Sequence, residues 1–160
     1  MKAVIGIGTN IGNSEENIRN AVEAVDLLPD VKVLRFASIY ETEPWGFTEQ
    51  QSFYNTVVEV ETDKSPEMLL GACLGIEAGM GRVREFKNGP RVIDLDLLVF
   101  ENYENASAHI TVPHSLMGER DFVLVPLKEL YDDMNILGYS YINQYENVVE
   151  KSTAKKVEKI

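Results

Sequence analysis

The chain has 160 residues, 44% hydrophobic and 26% charged, the profile of one globular domain with an adequate core. Its net charge of −11 argues against a nucleic-acid binder that works by neutralising phosphates. Cys73 is the only cysteine, which excludes an intrachain disulfide and a cysteine-based zinc site. No run approaches the roughly 18 apolar residues of a membrane-spanning helix, and MKAVIGIGTN is too short and too broken by glycine for a signal peptide. The expectation is a single domain over 1–160 in the cytoplasm, with no membrane or nucleic-acid partner.

In chain order, residues 2–8 read as a buried strand and 9–13 as a turn. A helix is expected over 14–28, capped by Asn13 or Ser14, with Glu15 and Glu16 at the positive end of its dipole. Ile18, Ala21, Val22, Val25 and Leu28 form its apolar stripe. Residues 31–40 read as one strand with imperfect alternation. Residues 41–52 (ETEPWGFTEQQS) form a polar loop, long for a compact domain, and such loops are often lids. Trp45 and Phe47 there are either exposed aromatics or residues folded back on the core.

The next strand covers 53–61, with Phe53, Asn55, Val57 and Glu59 on one face. Asn55 is either a satisfied buried amide or the complement of a heterocycle edge, offering two donors and an acceptor. Ser65-Pro66-Glu67 starts a second helix that ends near Gly79, with Met68, Leu69, Ala72, Cys73 and Ile76 inward. Cys73 reads as a small buried hydrophobe. Glu77, an acid in the last turn, calls for a partner such as an arginine.

A basic, glycine-punctuated loop follows, with Arg82, Arg84, Lys87 and Arg91. It feeds a strand from Val92 to Phe100. Val92, Asp94, Asp96, Leu98 and Phe100 share one face; Ile93, Leu95, Leu97 and Val99 form a wholly apolar second face. The two aspartates stand roughly 6–7 Å apart along the backbone, and desolvating both is costly without a shared cation. They are either strand-end carboxylates in water or paired with arginines, or ligands of a hard divalent ion such as Mg²⁺. The adjacent arginine forks favour a metal–polyphosphate site.

A short strand over 108–112 leads to Val112-Pro113-His114. A helix is expected over 121–130 despite Pro126. Arg120, just before it, can join the helix N-terminus in holding an anion. His114 is either a loop hydrogen-bonder or a phosphate contact. The tail from Gly138 is expected to form a last helix that frays over 151–160. The order β-α-β-β-α-β, with extra C-terminal helices, describes an α+β, ferredoxin-like fold: an antiparallel sheet with helices on one face.

Taken together, these residues resemble the 6-hydroxymethyl-7,8-dihydropterin pyrophosphokinase family of folate biosynthesis. The resemblance runs from Ile7-Gly8-Thr9-Asn10 through Tyr40-Glu41-Thr42-Glu43-Pro44, Asn55 and Glu77. It continues through Gly81-Arg82-Val83-Arg84 and Gly89-Pro90-Arg91-Val92-Ile93-Asp94-Leu95-Asp96 to Val112-Pro113-His114, Arg120 and Phe122. It implies transfer of pyrophosphate from ATP to the pterin hydroxymethyl oxygen, with release of AMP. Two Mg²⁺ ions would be held by Asp94 and Asp96, and Arg82 and Arg91 would neutralise phosphates. Glu77, Arg84, Thr111, His114 and Arg120 would complete the ATP set. The pterin would lie between Phe53 and Phe122, its edge read by Asn55 and by backbone near Thr42, Pro44 and Trp45.

The loops 43–51 and 82–91 match those that close over the substrates. The substrates are small molecules, and a monomer is expected. Asn88, Phe53, Ser115 and Gly75 depart from common family residues, and the basic loop is one residue shorter; these bear on loop closure and binding strength. Two other readings compete with the kinase. One is a ligand-sensing module without catalysis, which needs no carboxylate pair. The other is a nucleotidyltransferase, which releases pyrophosphate instead of AMP.

Overall fold

A computed structural model of the chain describes residues 1–43, 51–81 and 93–159. Strand β1 (Lys2–Thr9) runs through the middle of the sheet. Its Ala3, Ile5 and Ile7 face one hydrophobic layer, and Val4 faces the other. Gly6 and Gly8 share the Val4 face by alternation. Helix α1 (Ser14–Asp26) starts where Asn13 Oδ1 accepts from the Glu16 amide at 3.1 Å. Ile18, Ala21, Val22 and Val25 are buried, as their spacing predicts.

The expected strand over 31–40 is two strands, β2 (Val31–Phe36) and β3 (Ser38–Thr42), both antiparallel to β4 (Phe53–Thr62). Phe36 pairs with Val58 but Tyr40 with Asn55, so the arm carries one extra residue around Ala37. A second shift falls between Val33 and Arg35. These two bulges explain the imperfect alternation: Val31, Val33, Phe36 and Ile39 reach one layer, Ala37 the other. Thr56 Oγ1 donates to the Ala37 carbonyl at 2.9 Å where the ladder is interrupted.

Helix α2 (Pro66–Gly79) is capped by Ser65, whose Oγ accepts from the Met68 amide at 3.2 Å. Its buried line is Leu69, Cys73 and Glu77, while Met68, expected inward, is 60% exposed. The helix is apolar on several sides, so spacing alone does not select its inner face. Strand β5 (Asp94–Phe100) pairs with β1 and closes one edge of the sheet, whose order is β5, β1, β4, β3, with β2 also on β4. Every pairing is antiparallel.

The β5 faces depart from strict alternation. Leu97 lies opposite Ile5 and Val99 opposite Val4, leaving Leu98 as an extra residue. Past that bulge the faces swap. Val99 joins Leu98 on the aspartate face, and Phe100 joins Ile93, Leu95 and Leu97 on the other.

Two small hairpins follow: β6 (Asn105–Ala106) with β7 (Thr111–Val112), and β8 (Asn135–Ile136) with β9 (Tyr139–Ser140). Helix α3 (Asp121–Leu130) has the expected bounds. Helices α1 and α2 share one face of the sheet. The other face is not open, as a one-sided arrangement would leave it: α3 and side chains of α4 (Ile142–Val149) cover it.

The tail differs from its expectation. Instead of fraying, it forms β10 (Lys155–Lys159) along β3, with Lys155 opposite Glu41 and Lys156 opposite Tyr40. The edge of β3 offers unpaired backbone groups, and a charged strand covers them. Lys156 Nζ lies 3.2 Å from Glu129 Oε1, tying the strand to α3. Glu129 also accepts from the Ser38 hydroxyl at 2.7 Å.

Candidate active site

The carboxylate strand is held from both sides. On one side, Asp94 pairs with Gly8 and Asp96 with Gly6. On the other, the buried Glu77 reaches from the last turn of α2, and its Oε2 accepts from the Leu95 amide at 2.7 Å. Glu77 therefore anchors the residue between the two aspartates. The edge-strand amide of Leu95 is one donor to it, and the basic-loop arginines among which the sequence places a partner lie outside the described residues.

Asp94 and Asp96 both line a cleft of about 270 Å³, together with Glu77, Thr111 and His114. Arg120 enters from the start of α3, with Nη1 3.6 Å from Asp96 Oδ2. His114 follows the cis Val112–Pro113 bond, and its amide donates to the Leu98 carbonyl at 2.8 Å. Its Nδ1 accepts from the Leu116 amide at 3.2 Å, so in the neutral ring Nε2 carries the proton. Burial pushes the imidazole below its ordinary value, the Arg120 guanidinium adds to this, and Asp94 partly opposes them. His114 is thus a neutral donor near pH 7.

The second half of the site lies across the same sheet face. Tyr40, Asn55, Gly8 and Asp94 form one row across β3, β4, β1 and β5. Asn55 is buried, and its Nδ2 has no hydrogen-bond partner among the described residues. The same holds for Oγ1 of the buried Thr42, which sits opposite Phe53. Two orphaned polar atoms on one face are a cost unless a ligand meets them. Phe122 is half-buried at the start of α3, with the Arg120 guanidinium carbon 5.4 Å from its ring centre.

The structure therefore gathers Asp94, Asp96, Thr111, His114, Arg120 and Glu77 around the start of β5, with Thr42, Phe53 and Asn55 on β3 and β4 of the same sheet and Phe122 at the start of α3. Pro44, Trp45, Arg82, Arg84, Arg91 and Asn88 lie outside the described residues. Ser115 lines the cleft, and Gly75 is exposed on α2. Sequence reasoning assigned no role to Gly6 and Gly8. Glycine at alternate positions of a core strand was the available signal: those positions carry no side chain where neighbours need the room.

Among the described residues, no group of three or more His, Cys, Asp or Glu side chains is placed to hold a metal ion. Asp94 and Asp96 are a two-carboxylate donor set. That set fits a hard cation such as Mg²⁺, which takes one or two protein carboxylates and completes its shell with water and phosphate oxygens. Among the described residues, no helix is long and apolar enough to cross a membrane.

Comparison with known proteins bears on what this face does. Residues 4–132 match the family described as 7,8-dihydro-6-hydroxymethylpterin-pyrophosphokinase (HPPK). A Methylorubrum extorquens protein named 2-amino-4-hydroxy-6-hydroxymethyldihydropteridine pyrophosphokinase is 38% identical over 157 residues, covering 98% of this chain and 99% of that one. A Bacillus subtilis protein of the same name is 42% identical over 128 residues, covering 80% of this chain and 77% of its own. A crystal structure of an HPPK-DHPS in complex with substrates superposes with a TM-score of 0.71 at 16% identity, over 94% of this chain. The chain spans 43% of that longer protein, so the likeness concerns the fold of its matching part. By the family match and by these relatives, the chain belongs to the HPPK family.

Proposed function

We propose that this chain transfers pyrophosphate from ATP to 6-hydroxymethyl-7,8-dihydropterin in folate biosynthesis. The hydroxymethyl oxygen attacks the β-phosphorus, the bond from that phosphorus to the α-phosphate's bridging oxygen breaks, and AMP leaves. The hydroxyl proton passes to solvent; no side chain is assigned as general base.

The observation that carries the reading is the row Asn55–Gly8–Asp94. It sets a ring-reading amide and a phosphate-end carboxylate two strands apart, roughly 10 Å. That span suits a bicyclic heterocycle whose hydroxymethyl arm points at a polyphosphate. The orphaned Asn55 Nδ2 and Thr42 Oγ1 would meet the polar edge of the pterin. Phe53 and Phe122 would flank its faces. Pro44 and Trp45 would add contacts to the same substrate.

At the other end, Asp94 and Asp96 would hold two Mg²⁺ ions. Bound there with the triphosphate, the ions supply charge neutralisation and alignment. Arg120 balances Asp96, and its guanidinium is within reach of phosphate oxygens gathered at the carboxylates. His114 would donate from Nε2 to a phosphate oxygen without adding a charge that must be desolvated. Glu77 and Thr111 line the ATP cleft, and Arg82, Arg84 and Arg91 would bring further guanidinium groups to the phosphates. Positioning and electrostatics suffice for such a transfer.

The element order and the strand order support a ferredoxin-like description of the sheet and its first two helices. We read the chain as a cytoplasmic monomer acting on small molecules. Steady-state assays across a Mg²⁺ titration, with and without chelator, test the reading. The rate should rise with Mg²⁺ and vanish with chelator; a metal-independent rate would contradict the assigned carboxylate role.

A further inference from the structure

The C-terminal tail lies beyond the family match at 4–132, yet it touches both walls of the proposed pterin pocket. Thr153 Oγ1 accepts from the Glu43 amide at 3.0 Å, immediately after Thr42 at the end of β3. Ser152 Oγ donates to Asp121 Oδ2 at 2.6 Å, at the first residue of α3. The Ala154 amide donates to the same Ser152 oxygen at 3.0 Å, which orients the hydroxyl proton toward Asp121. Asp121 Oδ1 in turn accepts from the Phe122 amide at 2.9 Å. Downstream, β10 fixes the segment: Lys155 and Lys156 pair with Glu41 and Tyr40, and Lys156 reaches Glu129.

Two hydroxyls on consecutive residues thus connect two elements otherwise distant in sequence. One bears Thr42, whose hydroxyl is orphaned; the other bears Phe122. Glu43, Asp121, Phe122, Lys151, Ser152 and Thr153 also line a shared cavity of about 310 Å³. A tail needed only to cover the edge of β3 would have no use for these bonds, because β10 begins two residues later.

We propose that Ser152 and Thr153 are positioning residues for the pterin: the tail is a strap that fixes the spacing between the end of β3 and the start of α3, and so the width of the pterin slot. This rests on the functional reading above. The strap's two hydrogen bonds fall on Glu43 and Asp121 rather than on the carboxylates of β5, so its effect should fall on pterin rather than on ATP.

The test uses the full chain with Ser152→Ala and Thr153→Val combined. Binding of 6-hydroxymethyl-7,8-dihydropterin is measured with a non-hydrolysable ATP analogue and Mg²⁺ present; binding of the analogue is measured separately. Losing two hydrogen bonds should weaken pterin binding and raise its KM about tenfold. kcat and analogue affinity should stay near wild type, while the thermal midpoint falls only by the few degrees that two lost hydrogen bonds cost. The conservative pair Ser152→Thr and Thr153→Ser should restore pterin affinity. Unchanged pterin affinity in the first variant overturns the strap. So does a parallel fall in pterin affinity, analogue affinity and thermal midpoint, which marks general support of the fold. A wild-type chain that binds no pterin overturns the functional reading and the strap's role with it.

Discussion

Asn55 Oδ1 occupies the space that a side chain at Gly8 would need: a Cβ there would stand 2.4 Å from that oxygen. The two residues face each other across β1 and β4. Gly8 is therefore fixed by close approach of a neighbour's polar group, as glycine in a strand interior often is. Replacing it moves the amide that would read the pterin. Gly8→Ala should cost about 1–3 kcal/mol of stability by overpacking and weaken pterin binding about tenfold or more. Gly6→Ala is the control on the same face. The nearest atoms its Cβ would meet belong to the Leu98 side chain, at 3.3 Å and beyond, so the cost should be smaller and pterin binding should persist. Denaturant unfolding and pterin titration of both variants check this, and equal effects would contradict it.

Glu77 gives a second prediction. Its buried carboxylate accepts from the Leu95 amide, between the two aspartates. Glu77→Ala leaves that edge amide without its carboxylate partner and should cost about 1–3 kcal/mol. Activity should fall with it, because both neighbouring carboxylates lose their register. Glu77→Gln keeps an acceptor oxygen and should retain much of the stability. Thermal unfolding read beside the rate separates the two variants.

The carboxylate pair gives a third. Asp94→Asn or Asp96→Asn should lower kcat/KM by roughly a thousandfold or more, the scale for losing transition-state charge stabilisation. Pterin binding should largely survive, since Asn55 and Phe53 lie on β4 and Phe122 on α3, away from β5. A protein that senses ligand without catalysis would lose nothing measurable.

Acid stability gives a fourth. Burial works to raise the Glu59 carboxyl, but hydrogen bonds from Arg35 and Tyr131 outweigh it and hold the group below the ordinary range. Arg35 Nη2 lies 3.1 Å from Glu59 Oε2, and the Tyr131 hydroxyl donates to the same oxygen. A depressed folded pKa means the stabilisation is complete above the unfolded value of about 4.3 and is lost as pH falls through the lower folded value. Glu59→Gln should destabilise the chain by about 1–2 kcal/mol at pH 7, discounted because Arg35 is partly exposed. The gap to wild type should close in acid. Unfolding midpoints from pH 7 to pH 3 test this; a gap that widened in acid would reverse the sign of the argument.

Much of this was legible in the sequence where the signal is local. Asn13 and Ser65 cap their helices, and Pro66 marks the start of α2, because capping depends on a few adjacent residues. The aspartate face was legible as far as Leu98. Beyond it the bulge opposite Val4 and Ile5 exchanged Val99 and Phe100, and a bulge depends on the partner strand. The row Asn55–Gly8–Asp94 needed the register of three strands, which no single segment encodes. The tail misled because KKVEK is charged and short; only the open edge of β3 makes it a strand. Met68 misled because α2 has apolar residues on several sides, so its inner face is decided by what it packs against.

Pyrophosphate transfer leaves products that distinguish it from every other use of ATP. The most direct measurement is product analysis: purified chain with ATP, Mg²⁺ and 6-hydroxymethyl-7,8-dihydropterin, nucleotides resolved by chromatography, with a control lacking pterin. AMP should form only with pterin and be matched by an equal amount of pterin diphosphate. ADP in place of AMP, or AMP that forms equally without pterin, would contradict that transfer.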